Sequence, residues 1–128
     1  MPISFSNPDG VFPPGSRYSH AALVEGGGRR VVVSGQVGLT PDGHLDHDGE
    51  AQMEQALANL RAILSAHGMG PENVLKVTVF LTDREMVPLW REVRDAFFDG
   101  HAPASTLLVV AGLADPRFQV EVEAEAAD

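Results

Sequence analysis

The last quarter of the chain shows two apolar patterns that predict β-strands. From residue 118 to residue 125, apolar and polar residues alternate strictly, and the polar positions include Glu121, Glu123 and Glu125. An almost continuous apolar run at 103–110 precedes this alternation, and Gly, Asp and Pro residues occur between the two. A period of two is typical of a strand, so the pattern predicts two late strands joined by a turn.

Shorter β-prone runs occur earlier in the chain. Residues 18–24 and 30–34 flank a Glu-Gly-Gly-Gly turn, which predicts a hairpin. Gly35 follows, and a glycine in a strand often indicates a bulge or a close approach of the backbone to a ligand. Residues 74–82 predict a central strand in which Leu75 and Val77 share one face. Residues 1–17 are rich in Pro, Gly, Ser and Asn, and we expect an irregular lead-in.

The spacing of apolar residues changes to three and four in the middle of the chain, which predicts an amphipathic helix. Its apolar stripe consists of Met53, Ala56, Leu57, Leu60, Ile63 and Leu64. Gly68 is suited to end this helix. A second helix is predicted to begin near Val87 and Pro88 and to end at Asp99 and Gly100. Its inner stripe consists of Leu89, Trp90, Val93, Ala96 and Phe97.

The predicted element order is β-β-α-β-α-β-β, within a single domain that spans residues 1–128. This order is typical of an α+β fold with a mixed sheet and two helices on one face. Two helices cover only that face, while the opposite face also carries apolar positions. Burial of apolar surface contributes about 25 cal/mol per Å², and large apolar patches rarely stay exposed on a monomer. We therefore expect the protein to self-associate through the open face.

Composition narrows the classes of function. The chain has no cysteine, which excludes disulfides, thiolate catalysis and cysteine metal sites and fits a cytoplasmic protein. Its formal net charge is −9, so we expect neither nucleic acid nor an anionic membrane surface as a partner. Neither a membrane-spanning run nor a signal peptide is expected from the apolar pattern.

The other polar clusters predict no specific chemistry. His44, His47 and Asp48 lie in a polar loop without a recognised metal-ligand spacing, so a solvated loop is favoured over a metal site. The remaining histidines are scattered, and their order along the chain defines no Ser-His-Asp set. We therefore expect no metal.

Several landmarks occur in one order along the chain, and together they resemble the Rid family, also called YjgF, of reactive intermediate deaminases. The likeness extends over roughly residues 15 to 126. The residues that carry it are Val33-Ser34-Gly35-Gln36, Asn59-Leu60, the strand from Val74 to Asp83, Phe97-Phe98, Pro103-Ala104 and Val120-Glu121-Val122-Glu123-Ala124.

This resemblance implies a chorismate-mutase-like α+β fold and a homotrimer with a small-molecule cleft at each subunit interface. It also implies hydrolysis of imines or enamines to a carbonyl compound and ammonia, without a metal or an organic cofactor. Carried over by position, the cleft includes Tyr18, Ser34, Gly35 and Glu121, and Glu121 holds the attacking water. The alternation alone fits a second interpretation, in which Glu121 belongs to the solvated side of an edge strand.

The chain departs from the family pattern at its strand entry. Ser105 stands where deaminating members carry an arginine that binds the substrate carboxylate, and Leu107 stands where many members have cysteine. A hydroxyl supplies neither the charge nor the paired hydrogen bonds of a guanidinium, so activity on 2-iminopropanoate is expected to be weak. Arg91 on the second helix is either a replacement cation in the cleft or an exposed surface residue.

Two functions follow from these observations. The first is a hydrolase for an imine or enamine, with water held by Glu121. The second is a trimer that binds small metabolites without converting them, and Ser105 is the residue that favours it. A third hypothesis, cleavage of RNA or protein, is disfavoured by the acidity of the chain.

Overall fold

A computed structural model describes residues 2–128 and shows the predicted elements together with one additional strand. The strands are β1 Ile3–Ser6, β2 Ala21–Glu25, β3 Arg29–Gln36, β4 Val74–Leu81, β5 Ala104–Val109 and β6 Val120–Ala127. The helices are α1 Gly49–Ala66 and α2 Val87–Phe98, and short 3₁₀ turns at Pro71–Asn73 and Arg84–Met86 precede β4 and α2. The predicted α+β class is confirmed.

The strands form one mixed sheet in the order β1-β2-β3-β6-β4-β5. Neighbouring strands are antiparallel except β4 and β5, which are parallel and are connected through α2. Helix α1 packs on β6 and β3, and α2 packs beside α1. Side chains from this face of the sheet and from both helices form the core. Within residues 2–128, no helix is both long and apolar enough to cross a membrane.

Helix α1 begins and ends for local reasons. Asp48 caps α1, because its carboxylate accepts a hydrogen bond from the Ala51 backbone N–H at 3.1 Å. All six residues of the predicted stripe are buried, and Gly68 follows the helix with φ of +70°, as expected.

In α2 the prediction of the inner stripe was partly wrong. Phe98 is buried while Ala96 is exposed, so the inner side is rotated toward the end of the helix.

Strand β1 lies inside the segment that was predicted to be irregular, so that prediction was wrong for Ile3–Ser6. Ile3 pairs with Val24, and Ser6 pairs with Ala21. The four-residue strand obtains its backbone partners from β2, and a contact of this kind is not visible in a local run flanked by Pro and Gly.

The central strand β4 contains an irregularity that changes which residues face the core. Its register with β6 shifts between Val74 and Lys76, so one extra residue is inserted there. Val74 is buried, whereas Leu75 is 51% exposed. The prediction that Leu75 shares the face of Val77 was therefore wrong, because the bulge breaks the simple alternation.

The sheet face opposite the helices is open and chemically divided. The register places Phe5 and Val32 together on it, and it places Phe80 and Leu108 together nearer the other edge. Phe5 is 69% exposed and Leu108 is 46% exposed. Between these apolar areas, β6 presents the alternating glutamates found in the sequence. The open face is thus apolar near both edges and acidic in the middle.

Candidate active site

The candidate site begins at an irregularity between β3 and β6. Val33 pairs with Ala124, but the next pair is Gln36 with Val122. Ser34 and Gly35 therefore stand opposite a single residue, which is the arrangement of a β-bulge. The glycine in the predicted strand indicated such a feature correctly, and the bulge turns the end of β3 toward β6.

Gly35 gives room to the side chain of Glu121. A Cβ atom added at Gly35 would overlap the Glu121 carboxylate and would lie 2.7 Å from its Cδ. Real side chains do not approach this closely, so any other residue at Gly35 would force the carboxylate to move. The absence of a side chain at Gly35 thus leaves the space that the Glu121 carboxylate occupies.

The Glu121 carboxyl group is half-buried, and this burial raises its pKa above the ordinary value. The negative charge of Glu123 raises it further. No hydrogen bond formed among residues 2–128 involves the Glu121 side chain. A carboxylate in this state is available to hold water and to exchange a proton.

Glu121 opens into a cavity of about 340 Å³ that is also lined by Tyr18 and Gly35. The sequence resemblance had grouped these three residues, and the fold brings them together. Phe12 and Phe118 contribute apolar walls. Such a mixture of apolar walls and few polar groups is typical of a small-molecule site.

His20 lies in the wall of this cavity and was not predicted as a site residue. It is buried, and its Nε2 lies 2.8 Å from the carbonyl oxygen of Phe12. Its Nδ1 lies 3.1 Å from Nε2 of Gln36. Because a carbonyl only accepts and an amide nitrogen only donates, the ring carries its proton on Nε2 and accepts at Nδ1. The Tyr18 ring packs edge-on against His20, with centroids 5.9 Å apart.

Ser34 contributes to the frame of the site and not to the lining of this cavity. Its hydroxyl donates to the Ser19 carbonyl at 2.6 Å, and its own carbonyl accepts from Gln36 Nε2 at 3.0 Å. These bonds connect the bulge of β3 to the segment that carries Tyr18 and His20.

Two buried polar residues of α1 also hold the loops around the cavity. Asn59 donates from Nδ2 to the carbonyls of Val37 and Leu39, at 3.0 and 2.9 Å. Gln52 accepts from the Gln119 backbone N–H at 2.9 Å. Both positions could be identified from the sequence, because the two residues are seven apart and so lie on the buried side of the helix.

The other predicted site residues lie away from Glu121 within one chain. Ser105 lines a different cavity beside α2, and Leu107 packs against the core from β5. Arg91 is exposed on α2 and lines neither of these cavities. Among residues 2–128, no three His, Asp or Glu side chains are grouped so that they could share a metal ion.

Comparison with known proteins assigns the chain to a family. A sequence model of the family described as Endoribonuclease L-PSP matches residues 11–128. The chain belongs to this family, known also as Rid or YjgF. A Rid relative from Rattus norvegicus, named 2-iminobutanoate/2-iminopropanoate deaminase, is 40% identical over 109 residues, which is 84% of this chain and 77% of the relative.

Solved structures of Rid proteins have the same fold. RidA from the Antarctic bacterium Psychrobacter sp. PAMC 21119 superposes with a TM-score of 0.89 at 31% identity, covering 98% of this chain and 99% of that one. E. coli TdcF with bound serine superposes with a TM-score of 0.88 at 29% identity, covering 98% of each chain. The predicted chorismate-mutase-like fold is therefore confirmed.

Proposed function

We propose that this protein hydrolyses an imine or enamine to a carbonyl compound and ammonia, with Glu121 as the group that activates water. The observation that carries the proposal is the Glu121 carboxylate, which lies half-buried against Gly35 and opens into a cavity large enough for a small metabolite. The name of the relative from Rattus norvegicus supports the reaction class.

The reaction requires proton transfers in two directions, and one carboxyl group can perform both. Glu121 accepts a proton from water as the water oxygen bonds to the imine carbon, and it passes this proton to the imine nitrogen, which becomes an amine. Glu121 then accepts the hydroxyl proton of the carbinolamine as the carbon–oxygen double bond forms, and it donates that proton to the departing nitrogen, which leaves as ammonia. Water and imine are consumed, and carbonyl compound and ammonia are released, so the step balances without a redox partner.

The raised pKa of Glu121 fits this role. General acid–base catalysis is most effective when the pKa of the group lies close to the working pH. Burial moves the pKa of this carboxyl group upward from its ordinary value of 4.5, toward neutrality. The cavity volume of about 340 Å³ suits a small substrate, and Phe12 and Phe118 supply apolar contacts for it.

The proposal includes a homotrimer, in which the open sheet faces of three copies pack together. Phe5, Val32 and Leu108 are exposed on that face and would be buried by such packing. Ser105 lies on the other side of the sheet from Glu121 in one chain, because the paired residues Ser105 and Val77 face the helices. A neighbouring copy is therefore needed to bring both to one substrate.

Ammonia release from freshly generated imines of several amino acids tests the reaction. We expect Glu121→Gln to lower the rate by at least about a hundredfold, because an amide cannot take a proton from water. Glu72→Gln is the control, since Glu72 is exposed, does not line the cavity and does not contribute to the raised pKa of Glu121. Equal rates in native protein and Glu121→Gln would rule out this role.

Binding of a metabolite without turnover is the second candidate function, and Ser105 favours it because the strand lacks the charge of the family arginine. The bound serine in TdcF shows that a Rid protein can hold an amino acid. Calorimetric binding of serine by a protein that releases no ammonia from any imine would favour this candidate. RNA cleavage is not proposed, because the net charge of −9 repels a polyanion.

A further inference from the structure

One wall of the Glu121 cavity comes from a single segment that lies outside the helices and strands, between β1 and β2. Among residues 2–128, the only side chain that hydrogen-bonds to the backbone of residues 12–16 is that of His20, whose Nε2 lies 2.8 Å from the Phe12 carbonyl oxygen. The shape of this wall therefore depends on how His20 itself is held. The residues that the segment contributes to the cavity are Val11, Phe12, Pro13, Gly15, Ser16 and Tyr18.

The main chain of His20 is fixed from two sides. Its backbone N–H donates to the side-chain oxygen of Asn7 at 2.8 Å, and its carbonyl oxygen accepts from the Ser34 backbone N–H at 2.8 Å. Because Ser34 belongs to β3, the second bond connects His20 directly to the sheet. The imidazole thus extends from a fixed point on the sheet to the wall segment.

The imidazole of His20 uses both of its nitrogens within the protein. Nε2 donates to the Phe12 carbonyl, and Nδ1 accepts from the Gln36 amide nitrogen at 3.1 Å. The same amide nitrogen donates to the Ser34 carbonyl at 3.0 Å, so Gln36 is held as well. His20 is also only 4% exposed. With both nitrogens occupied, the ring can support the wall but has no position free for proton exchange with a substrate.

Tyr18 depends on the same imidazole for its orientation. Its ring packs against His20 with an angle of 89° between the two planes. Within residues 2–128, the Tyr18 hydroxyl forms no hydrogen bond, and the Tyr18 backbone N–H bonds only locally, to the Ser16 carbonyl at 3.0 Å. Edge-on aromatic contacts favour a particular ring orientation. The edge-on contact with His20 can therefore set the direction in which Tyr18 faces the cavity.

We propose that His20 is a positioning residue of the candidate active site, which holds the Phe12 carbonyl and the Tyr18 ring and so sets the shape of the wall that the substrate contacts. This inference rests on the proposed function and adds a residue that acts on the substrate through two others. The space at Gly35 positions Glu121 separately. Loss of the imidazole is therefore expected to affect how the substrate is held more than how protons are transferred.

Fluorine NMR tests the position of Tyr18 without any need for activity. Tyr18 is the only tyrosine of the chain, so protein grown with 3-fluorotyrosine gives one signal from the cavity wall. In His20→Leu the side chain offers neither a donor nor an acceptor, and we expect this signal to shift and to broaden. His20→Gln offers one amide donor and one carbonyl acceptor, and it is expected to keep a nearly native signal.

Ammonia release from freshly generated 2-iminobutanoate separates substrate binding from chemistry. For His20→Leu we expect the Michaelis constant to rise about tenfold while kcat falls less than about threefold, because the wall contacts the substrate in the ground state and the transition state alike. His20→Gln is expected to restore the Michaelis constant. His67→Leu is the matched control, since His67 also donates to a backbone carbonyl, that of Ile63 at 2.9 Å, and does not line the cavity.

A third variant keeps the inference testable if His20→Leu does not fold. His20→Asn keeps an acceptor near the position of Nδ1 but is too short to reach the Phe12 carbonyl, so it is expected to behave as described for His20→Leu. A native fluorine signal together with a native Michaelis constant in either variant would overturn the inference. Equal changes in His20→Leu and His67→Leu would overturn it too, because the effect would then follow from lost stability alone.

The two proposals can fail separately. If the fluorine signal depends on His20 as expected but the native protein releases no ammonia, the positioning of Tyr18 stands and the hydrolase is wrong. If ammonia release depends on Glu121 while the Michaelis constant is the same in native protein and His20→Leu, the proposed function stands and the role of His20 is wrong.

Discussion

The cavity at Glu121 and the cavity at Ser105 flank the same sheet, but the fold holds them in different ways. The first is surrounded by buried hydrogen bonds, in which His20 and Gln36 connect the bulge of β3 to the segment before β2. The second lies at an exposed edge strand, where an ion pair with exposed Asp95 orients Arg94. The residues around Glu121 are thus connected by buried hydrogen bonds, whereas the guanidinium of Arg94 is held by one ion pair near the surface.

This difference determines how much stability a substitution costs at each place. Altering a buried polar network leaves donors or acceptors without partners, which costs about 1–3 kcal/mol for each. Altering an exposed ion pair costs between about 0 and 1 kcal/mol. A substitution at the edge strand therefore costs little stability, whereas the surroundings of Glu121 cannot be rearranged at similar cost.

The largest expected effect comes from a substitution that disrupts the packing proposed for the open sheet faces. Leu108→Glu places a carboxylate on the open face of β5, where the proposed trimer would bury it without a partner, at a cost of about 3 kcal/mol or more. We expect sedimentation to show a shift from trimer to monomer, accompanied by loss of ammonia release. Ala58→Glu on the exposed side of α1 is the control. An unchanged assembly would contradict the proposed packing.

The next largest effect comes from a substitution that disturbs only the cavity at Glu121. Gly35→Ala forces the Glu121 carboxylate to move, and a displacement of about 1 Å can lower a rate by up to about a hundredfold. Gly112→Ala is the matched control, because a Cβ there meets open space. Native rates of ammonia release in Gly35→Ala would show that the position of Glu121 is not critical.

A third variant tests the buried hydrogen bonds around His20. His20→Ala leaves the Phe12 carbonyl and the Gln36 amide without their partner, so the free energy of unfolding is expected to fall by about 1–3 kcal/mol. The exposed His47 supplies the control, His47→Ala. Nitrogen NMR of the native protein should show a proton on Nε2 and none on Nδ1 of His20. The opposite tautomer would contradict the network.

The smallest effect concerns stability and pH. The pKa of Glu121 is raised on folding, so the ionised carboxylate destabilises the native state as pH rises from the ordinary value of 4.5 through the raised one. Glu121→Gln removes this effect and is expected to raise the free energy of unfolding near pH 8 by less than about 1 kcal/mol. Near pH 4 the two proteins should be equally stable. A variant that is less stable than the native protein at the higher pH would contradict the direction of the shift.

The sequence predicted the parts of this fold that depend on local periodicity. The stripe of α1, the alternation in β6 and the glycine after α1 are local patterns, and the structure confirms them. The family resemblance also grouped Tyr18, Gly35 and Glu121 in one cleft. These residues are far apart in the chain, and only the resemblance connected them.

Pairing between distant segments determined what the periodicity did not. Strand β1 exists because β2 offers an unpaired edge, and Leu75 is exposed because β4 bulges against β6. The burial of His20 depends on hydrogen bonds to Phe12 and Gln36. Likewise, the sequence identified the lost arginine at Ser105, but only the packing of α2 on the sheet shows that Arg94 and Asp95 line the same cavity. Local patterns indicate which face of an element is apolar, whereas the packing of the whole chain determines which side chains are neighbours.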